Sequence, residues 1–333
     1  MQEAYPTVDL HSDLLSFLVD HPSKKVEDPA SRASYPQMKQ GNIALQALTF
    51  FTPSKPGAHL YAKRQIEALK ILLDNEPDKY RLWDPNAGLD TIKAIQVVPA
   101  FENAYALCEE AEPLQKGLSF LSDVHKTFKH ILYISLTWDL ENRFGGGCGS
   151  KAGLKEDGKS LLQWMDGKKI AVDLSHASDY LASDILDFLS QKSLQVPVIA
   201  SHSNMRSIHP KERNLPDWLV LEILNRQGII GLNFFAPFIG SNFEQIQDHV
   251  EHLFSLGGKN HLCFGGDFFL FEDFDYLMNK YQTNVPFFSE FSNASCYPLA
   301  LQFLQKALSL TSSDLQAIAF DNFLNYAKKT FIV

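Results

Sequence analysis

Apolar and β-branched positions gather into eight short runs along the chain: Thr7–Asp13, Ile43–Phe50, Ile92–Glu102, Ile131–Trp138, Ile170–His176, Pro197–Ser203, Ile229–Phe235 and Leu262–Phe268. Ile43, Ile131, Ile170, Ile229 and Leu262 open stretches that are nearly continuous in apolar residues, the pattern of strands covered on both faces. Between most runs the apolar positions fall at helical spacing, most clearly Leu181, Ile185, Leu186, Leu189 and Leu194 between Ala177 and Val196. Eight strands separated by helices predict an α/β fold of the (β/α)8, TIM-barrel type. The alternative, an open doubly wound sheet, usually carries a Gly-rich turn after its first strand, and here that turn reads His11-Ser-Asp13. The connections Leu14 to Asn42 and Thr52 to Thr91 are long and contain prolines, which predicts helices with added loops. No composition shift divides residues 1–333, so one barrel domain is expected. Near the end, Ser313-Asp-Leu-Gln316 fits a capping box opening a helix that runs to about Lys329.

A parallel α/β sheet places its chemistry at the C-terminal ends of its strands. The fifth and sixth runs both end in Ser-His, at His176 and His202, and a crossover helix between them puts both imidazoles at the same edge. A single histidine at a strand end is most often structural. Two at equivalent positions favour metal binding, because neutral imidazole is a common zinc ligand. The first run ends His11-Ser-Asp13, and residues two apart on a strand face the same way. The third ends in Glu102. These five side chains make two three-ligand sets if one carboxylate is shared, and their donor types suit zinc better than magnesium or calcium. Sharing has an electrostatic reason: two dications about 3.5 Å apart repel by roughly 19 kcal/mol at an effective dielectric of about 20. A bridging carboxylate and a bridging hydroxide would place negative charge between them.

Three further stretches carry chemistry or invite a reading of it. The eighth run ends Gly265-Gly-Asp267, placing a carboxylate where it could act as general base and acid. Arg213, after the sixth run, could reach an anionic substrate group as a bidentate fork, while Arg206, His209 and Lys211 nearby are expected in solvent. Phe144-Gly-Gly-Gly-Cys-Gly149 lacks a phosphate-loop pattern and predicts a mobile loop over the barrel mouth. The other histidines sit in helical or connecting stretches and are expected to be structural.

Composition narrows the field. A net charge of −9, with no Lys/Arg cluster longer than a pair, argues against a nucleic-acid or anionic-membrane surface. The four cysteines, Cys108, Cys148, Cys263 and Cys296, show no Cys-x-x-Cys spacing, so neither a disulfide framework nor a thiolate zinc site is expected. The N-terminus lacks the basic and apolar blocks of a signal peptide and no apolar run approaches membrane-spanning length, which predicts a cytoplasmic protein.

Taken as a spaced set, His11-Ser-Asp13, Asp173-Leu-Ser-His176, Ser201-His-Ser-Asn204, Arg213-Asn-Leu-Pro-Asp217, Gly265-Gly-Asp267 and Asn322-Phe-Leu resemble the membrane (renal-type) dipeptidases of metallopeptidase family M19, within the amidohydrolase-like barrels. The resemblance implies a two-zinc (two Zn2+) exopeptidase that cleaves small dipeptides, often including those with a C-terminal D-residue. It implies that His11 and Asp13 hold one zinc, His176 and His202 the other, that Glu102 bridges them, that Asp267 handles the proton and that Arg213 meets the substrate carboxylate. A homodimer is the family's implied assembly. Three departures stand out. Trp138 occupies the substrate-contacting place of a histidine in animal members, as in many bacterial relatives. Asp267-Phe-Phe-Leu270 replaces the usual Asp-Phe-Asp-Gly, and Phe235 replaces a tyrosine. The changes motivate two alternatives, hydrolysis of a lactone or cyclic amide, and a metal-bearing binding protein without activity.

Overall fold

The near-continuous apolar runs form strands because each is covered on both sides, by the barrel interior and by the crossover helices. In the computed structural model of the chain the described residues are 5–87 and 94–332. Nine strands appear among them: β1 Thr7–Asp9, β2 Ile43–Phe51, β3 Tyr80–Leu82, β4 Ile95–Glu102, β5 Tyr133–Ser135, β6 Ala171–Asp173, β7 Val198–Ile199, β8 Ile230–Leu232 and β9 Leu262–Phe264. They run parallel in the order β7-β6-β5-β4-β2-β1-β9-β8, with β3 beside β4 outside that path. The two ends of the order meet through a parallel bridge between Ala200 and Ile230, where Gly231 N donates to Ala200 O at 2.8 Å. The result is a nearly closed (β/α)8 barrel.

Every predicted run contains a strand, and most strands are shorter than their runs. In the first run and the fourth to eighth, the C-terminal part leaves the strand, whereas β2 and β4 run to the ends of theirs. Ile92, the predicted start of the third run, lies outside the described residues. The short β3 was not anticipated, since three residues inside a long connection carry too little periodicity to register. The helix Asp179–Gln191 between β6 and β7 shows how the crossovers are built: Ser178 Oγ caps it by accepting from Leu181 N at 3.0 Å, and Leu181, Ile185, Leu186 and Leu189 are buried against the sheet. The long connection after β1 holds the helices Leu14–Asp20 and Tyr35–Gln40, and that after β2 holds Ala58–Asn75.

Two local expectations need correction. The capping box near the C-terminus is formed by Thr311 and Asp314, not by Ser313 and Gln316. Gln316 turns instead to Asp321 inside a π-helical stretch, Ala317–Asp321, that precedes the last helix, Asn322–Thr330. The glycine run after β5 is not an open loop over the mouth. Phe144 to Gly147 are buried or half-buried, Cys148 N donates to His176 O at 2.7 Å and Ser178 N to Gly146 O at 3.0 Å. A Cβ on Gly147 would lie 1.8 Å from Trp138 O, so the glycine lets the loop fold tightly under the end of β5.

The exits of β1 and β9 are tied together by Asp9. Its buried carboxylate accepts from His11 N at 3.1 Å, Gly266 N at 2.9 Å and the Tyr297 hydroxyl at 2.5 Å. Burial pushes the Asp9 pKa up, and these donors act against that shift. Removing the hydroxyl leaves a buried carboxylate oxygen one donor short. Tyr297→Phe is expected to cost about 1.5–3 kcal/mol, the range for a hydrogen bond to a charged group, read as a lower urea midpoint with unchanged slope. An unchanged midpoint would show that the bond carries no stability.

Candidate metal centre and active site

The side chains picked out at the run ends converge because five strands deliver one or two residues each at or just past their C-terminal ends. His11 and Asp13 follow β1, Glu102 closes β4, His176 and His202 follow β6 and β7, and Asp267 follows β9. All six are buried. His176 and Asp267 adopt left-handed backbone, with φ of 68° and 57°. Such conformations cost a non-glycine residue about 1–3 kcal/mol and collect at functional sites.

The hydrogen bonds behind the three imidazoles decide which nitrogen faces the cavity. Tyr133 donates its hydroxyl proton to Leu10 O at 3.0 Å, so at 2.8 Å from His11 Nδ1 its oxygen acts as acceptor. Ser201 donates to Asp173 at 2.8 Å and accepts from His202 Nδ1 at 2.7 Å. His176 Nδ1 lies 2.9 Å from Asp139 Oδ1 and 3.2 Å from Arg213 Nε. Both contacts cannot be hydrogen bonds to one nitrogen in one tautomer. The shorter, charge-assisted contact to Asp139 wins, and Nδ1 carries the proton. All three rings therefore turn Nε2 inward, the arrangement seen where a second layer of acceptors orients metal-binding histidines.

Those inward atoms are crowded. Glu102 Oε1 is 3.0 Å from His176 Nε2 and 3.7 Å from His202 Nε2, and its Oε2 is 3.2 Å from His11 Nε2. His11 Nε2 also lies 3.8 Å from Asp13 Oδ2 and 3.6 Å from Asp267 Oδ1. The two nitrogens His176 Nε2 and His202 Nε2 are 3.0 Å apart. With both protons on Nδ1, two lone pairs face one another there, and a cation between them removes the repulsion. His11 Nε2 and Glu102 Oε2 are buried without a hydrogen-bond partner, and such groups in a native structure call for an explanation such as an ion.

Charge points the same way. Burial works against a charged His11, yet Glu102, Asp13 and Asp267 around it lift its pKa to about 10. Burial, together with the Glu102 charge, holds Asp13 well above the usual carboxylate range. Burial likewise carries Asp267 up to about 6 against the pull of His11, whereas Glu102, although buried, is drawn down to about 2 by His11 and His176. A pocket with this excess of negative charge draws positive charge, as protons or as metal. The donor atoms fall into two sets that share a carboxylate, His11 with Asp13 and Glu102, and Glu102 with His176 and His202, each within 4.8 Å. They fit divalent cations that take nitrogen and oxygen ligands. His11, His202 and Asp267 form a third close set.

Arg213 is buried rather than held out into the cavity. Its guanidinium donates to Ser203 Oγ at 2.8 Å and to His202 O at 2.9 Å, with Nε beside His176. One hydrogen on each terminal nitrogen is not used by these bonds. Arg206, expected in solvent, is half-buried and forks onto Asp179 at 2.7 and 2.8 Å. Trp138 stands beside His176 with ring centroids 6.1 Å apart. Several contributing residues escaped the sequence reading. Asp139 orients His176 and accepts from Lys280 at 2.7 Å, and Asn233 donates to Asp267 Oδ2 at 2.8 Å. Both stand at the exits of predicted strands, the signal that could have found them. Lys280 and Tyr133 carried none, because one comes from a distant connection and the other reads as an ordinary apolar strand residue.

Comparison with known proteins bears on the family and the fold. Residues 1–330 match the family described as membrane dipeptidase, peptidase family M19. An uncharacterized dipeptidase of Schizosaccharomyces pombe is 25% identical over 259 residues, covering 70% of this chain and 59% of that protein. The aligned regions span less than two thirds of this and some other curated relatives. Among solved structures, the M19 metallopeptidase dipeptidase AC superposes with a TM-score of 0.82 at 20% identity, over 99% of this chain and 100% of the other. A metallopeptidase from Rhodobacter sphaeroides, bound to a phosphinate mimic of the dipeptide L-Ala-D-Ala, gives 0.80 at 19% identity over the same shares. Such low identities show a common fold.

If Asp139 orients His176, Asp139→Ala is expected to weaken metal binding about 10–100-fold, as loss of an outer-layer partner does elsewhere. Competition with a chromogenic chelator measures it. Unchanged affinity would remove Asp139 from the metal centre.

Proposed function

This chain belongs to the membrane dipeptidase family, peptidase family M19, and on that premise we propose that it is a zinc-dependent dipeptidase acting on small dipeptides, L,D-dipeptides among them. The observation that carries the reading is the facing of three Nε2 atoms and Glu102 within one buried pocket. His11 and Asp13 would hold one zinc ion, His176 and His202 the other, and Glu102 both. When bound, zinc supplies Lewis acidity that polarises a carbonyl and makes water a nucleophile near neutral pH.

The chain's own groups handle substrate and proton. Asp267 Oδ2 is held by Asn233, which leaves Oδ1 directed at the cluster, 3.6 Å from His11 Nε2. In that place Asp267 takes a proton from the attacking water as its oxygen adds to the carbonyl carbon. It returns the proton to the departing amine as the C–N bond breaks. The same position would let Oδ1 serve as a ligand, and the variant below separates the two roles. Arg213 contributes positive charge toward the substrate's carboxylate, and Trp138 walls the pocket at the position where the family's animal members have a histidine. The likeness to a structure bound to a dipeptide mimic supports the choice of substrate.

A second reading is hydrolysis of a cyclic amide or lactone. It is favoured by the engagement of both terminal Arg213 nitrogens and by the absence of lysine and arginine among the described residues lining the cavity, since such substrates bring no free carboxylate.

Asp267→Asn is expected to keep its metal while kcat falls about 10²–10⁴-fold, the usual share of a general acid or base. Elemental analysis beside a dipeptide assay checks both, and full turnover in that variant would remove Asp267 from the mechanism. Stripping the protein with a chelator is expected to abolish dipeptide hydrolysis and zinc to restore it. Activity that survives complete metal removal would contradict the proposal.

A further inference from the structure

The proposed chemistry uses the polar floor of the pocket and leaves its walls unexplained. Those walls are aromatic and form an unbroken arc. Phe235 meets Phe269 with ring centroids 5.4 Å apart, Phe269 meets Phe274 at 4.9 Å, Phe274 meets Phe51 at 5.2 Å, Phe51 meets Trp138 at 5.2 Å, and Trp138 ends against His176. The contacts are tilted or edge-on, the favoured arrangement for aromatic pairs, and each ring is braced by the next. The arc starts two residues beyond Asn233, the donor to Asp267, and finishes at a candidate metal-binding imidazole. It therefore spans the pocket from the proton-handling side to the metal side.

All five rings line the pocket whose polar groups are Asp13, Glu102, Asp139, His176 and Asp267. The cavity is two-faced, with carboxylates and an imidazole on the floor and phenyl and indole rings, with Leu277, around it. Among the described residues, no lysine or arginine lines it. Asp267 and Phe269 both line the cavity, while Phe268 between them is buried in the core.

We infer that this aromatic collar makes the enzyme selective for dipeptides carrying a bulky apolar side chain and sets it against acidic ones. The inference rests on the dipeptidase reading and adds the substrate class to it. An apolar side chain rising from the floor exchanges water for ring surface, which is worth about 10- to 100-fold in kcat/KM over a methyl group. A carboxylate side chain in the same place loses its hydration against the rings and finds no lysine or arginine among the described residues of the lining.

The test is a panel of Ala-Ala, Ala-Leu, Ala-Phe, Leu-Ala, Phe-Ala, Ala-Asp and Asp-Ala with zinc-loaded full-length protein. Binding is followed in parallel by quenching of Trp138 fluorescence, with Trp138→Phe as the blank. The better apolar series is expected to exceed Ala-Ala by at least about tenfold in kcat/KM and the acidic peptides by about 100-fold. Phe269→Asp, which sets a charge into the arc, is expected to collapse that ratio, and Phe269→Leu to keep it. A flat wild-type profile, within about threefold, overturns the collar and leaves the dipeptidase reading standing; this holds even if the variants fail to fold. No hydrolysis of any dipeptide overturns the dipeptidase reading instead. Fluorescence then decides the collar: tighter binding of Ala-Phe than of Ala-Asp supports it, and equal or absent binding overturns it.

Discussion

The structure turns on one electrostatic constraint. Three imidazole nitrogens and the oxygens of Asp13, Glu102 and Asp267 occupy a single buried space, with His176 Nε2 only 3.0 Å from His202 Nε2 and Glu102 between the two groups. Without a cation such a cluster must hold protons on groups that would otherwise be neutral, as His11 shows. With divalent cations bound, the same atoms would serve as ligands and the conflict would disappear. Everything at the barrel mouth, from the Nδ1 partners to the left-handed backbone at His176 and Asp267, keeps those atoms facing inward.

The fold supplies this at a modest number of positions. A parallel barrel brings the ends of β1, β4, β6, β7 and β9 to one rim, so residues far apart in sequence meet without long loops. Outside the ligand candidates lies a layer of orienting groups, Tyr133 on His11, Asp139 on His176, and Ser201 with Asp173 on His202. Beyond these the aromatic arc closes the pocket, and Lys280 joins the connection after β9 to Asp139. On the proposed reading, chemistry and selectivity are carried by different materials: polar floor for the reaction, ring surface for the choice of substrate.

Much of this was legible in the amino-acid sequence. The eight apolar runs are long enough, and doubly buried enough, to stand out against their helical connections, and the five candidate ligands sit where those runs end. The orienting layer was less legible. Asp139 follows Trp138 directly, yet nothing in a lone carboxylate tells that it faces His176 from behind. Tyr133 is one apolar-looking residue within a strand, and Lys280 arrives from a connection whose path only the folded chain shows. The glycine run after β5 misled for a related reason. Glycine marks both mobile loops and close backbone approach, and the approach of Gly147 to Trp138 O appears only in three dimensions.

The most direct test of the central claim is anomalous diffraction at the zinc edge from crystals of protein grown with zinc. Two anomalous peaks are expected at the barrel mouth, one beside His11 and Asp13 and one beside His176 and His202, with Glu102 reaching both. No peak among these residues at saturating zinc, or peaks only elsewhere on the molecule, would contradict the account.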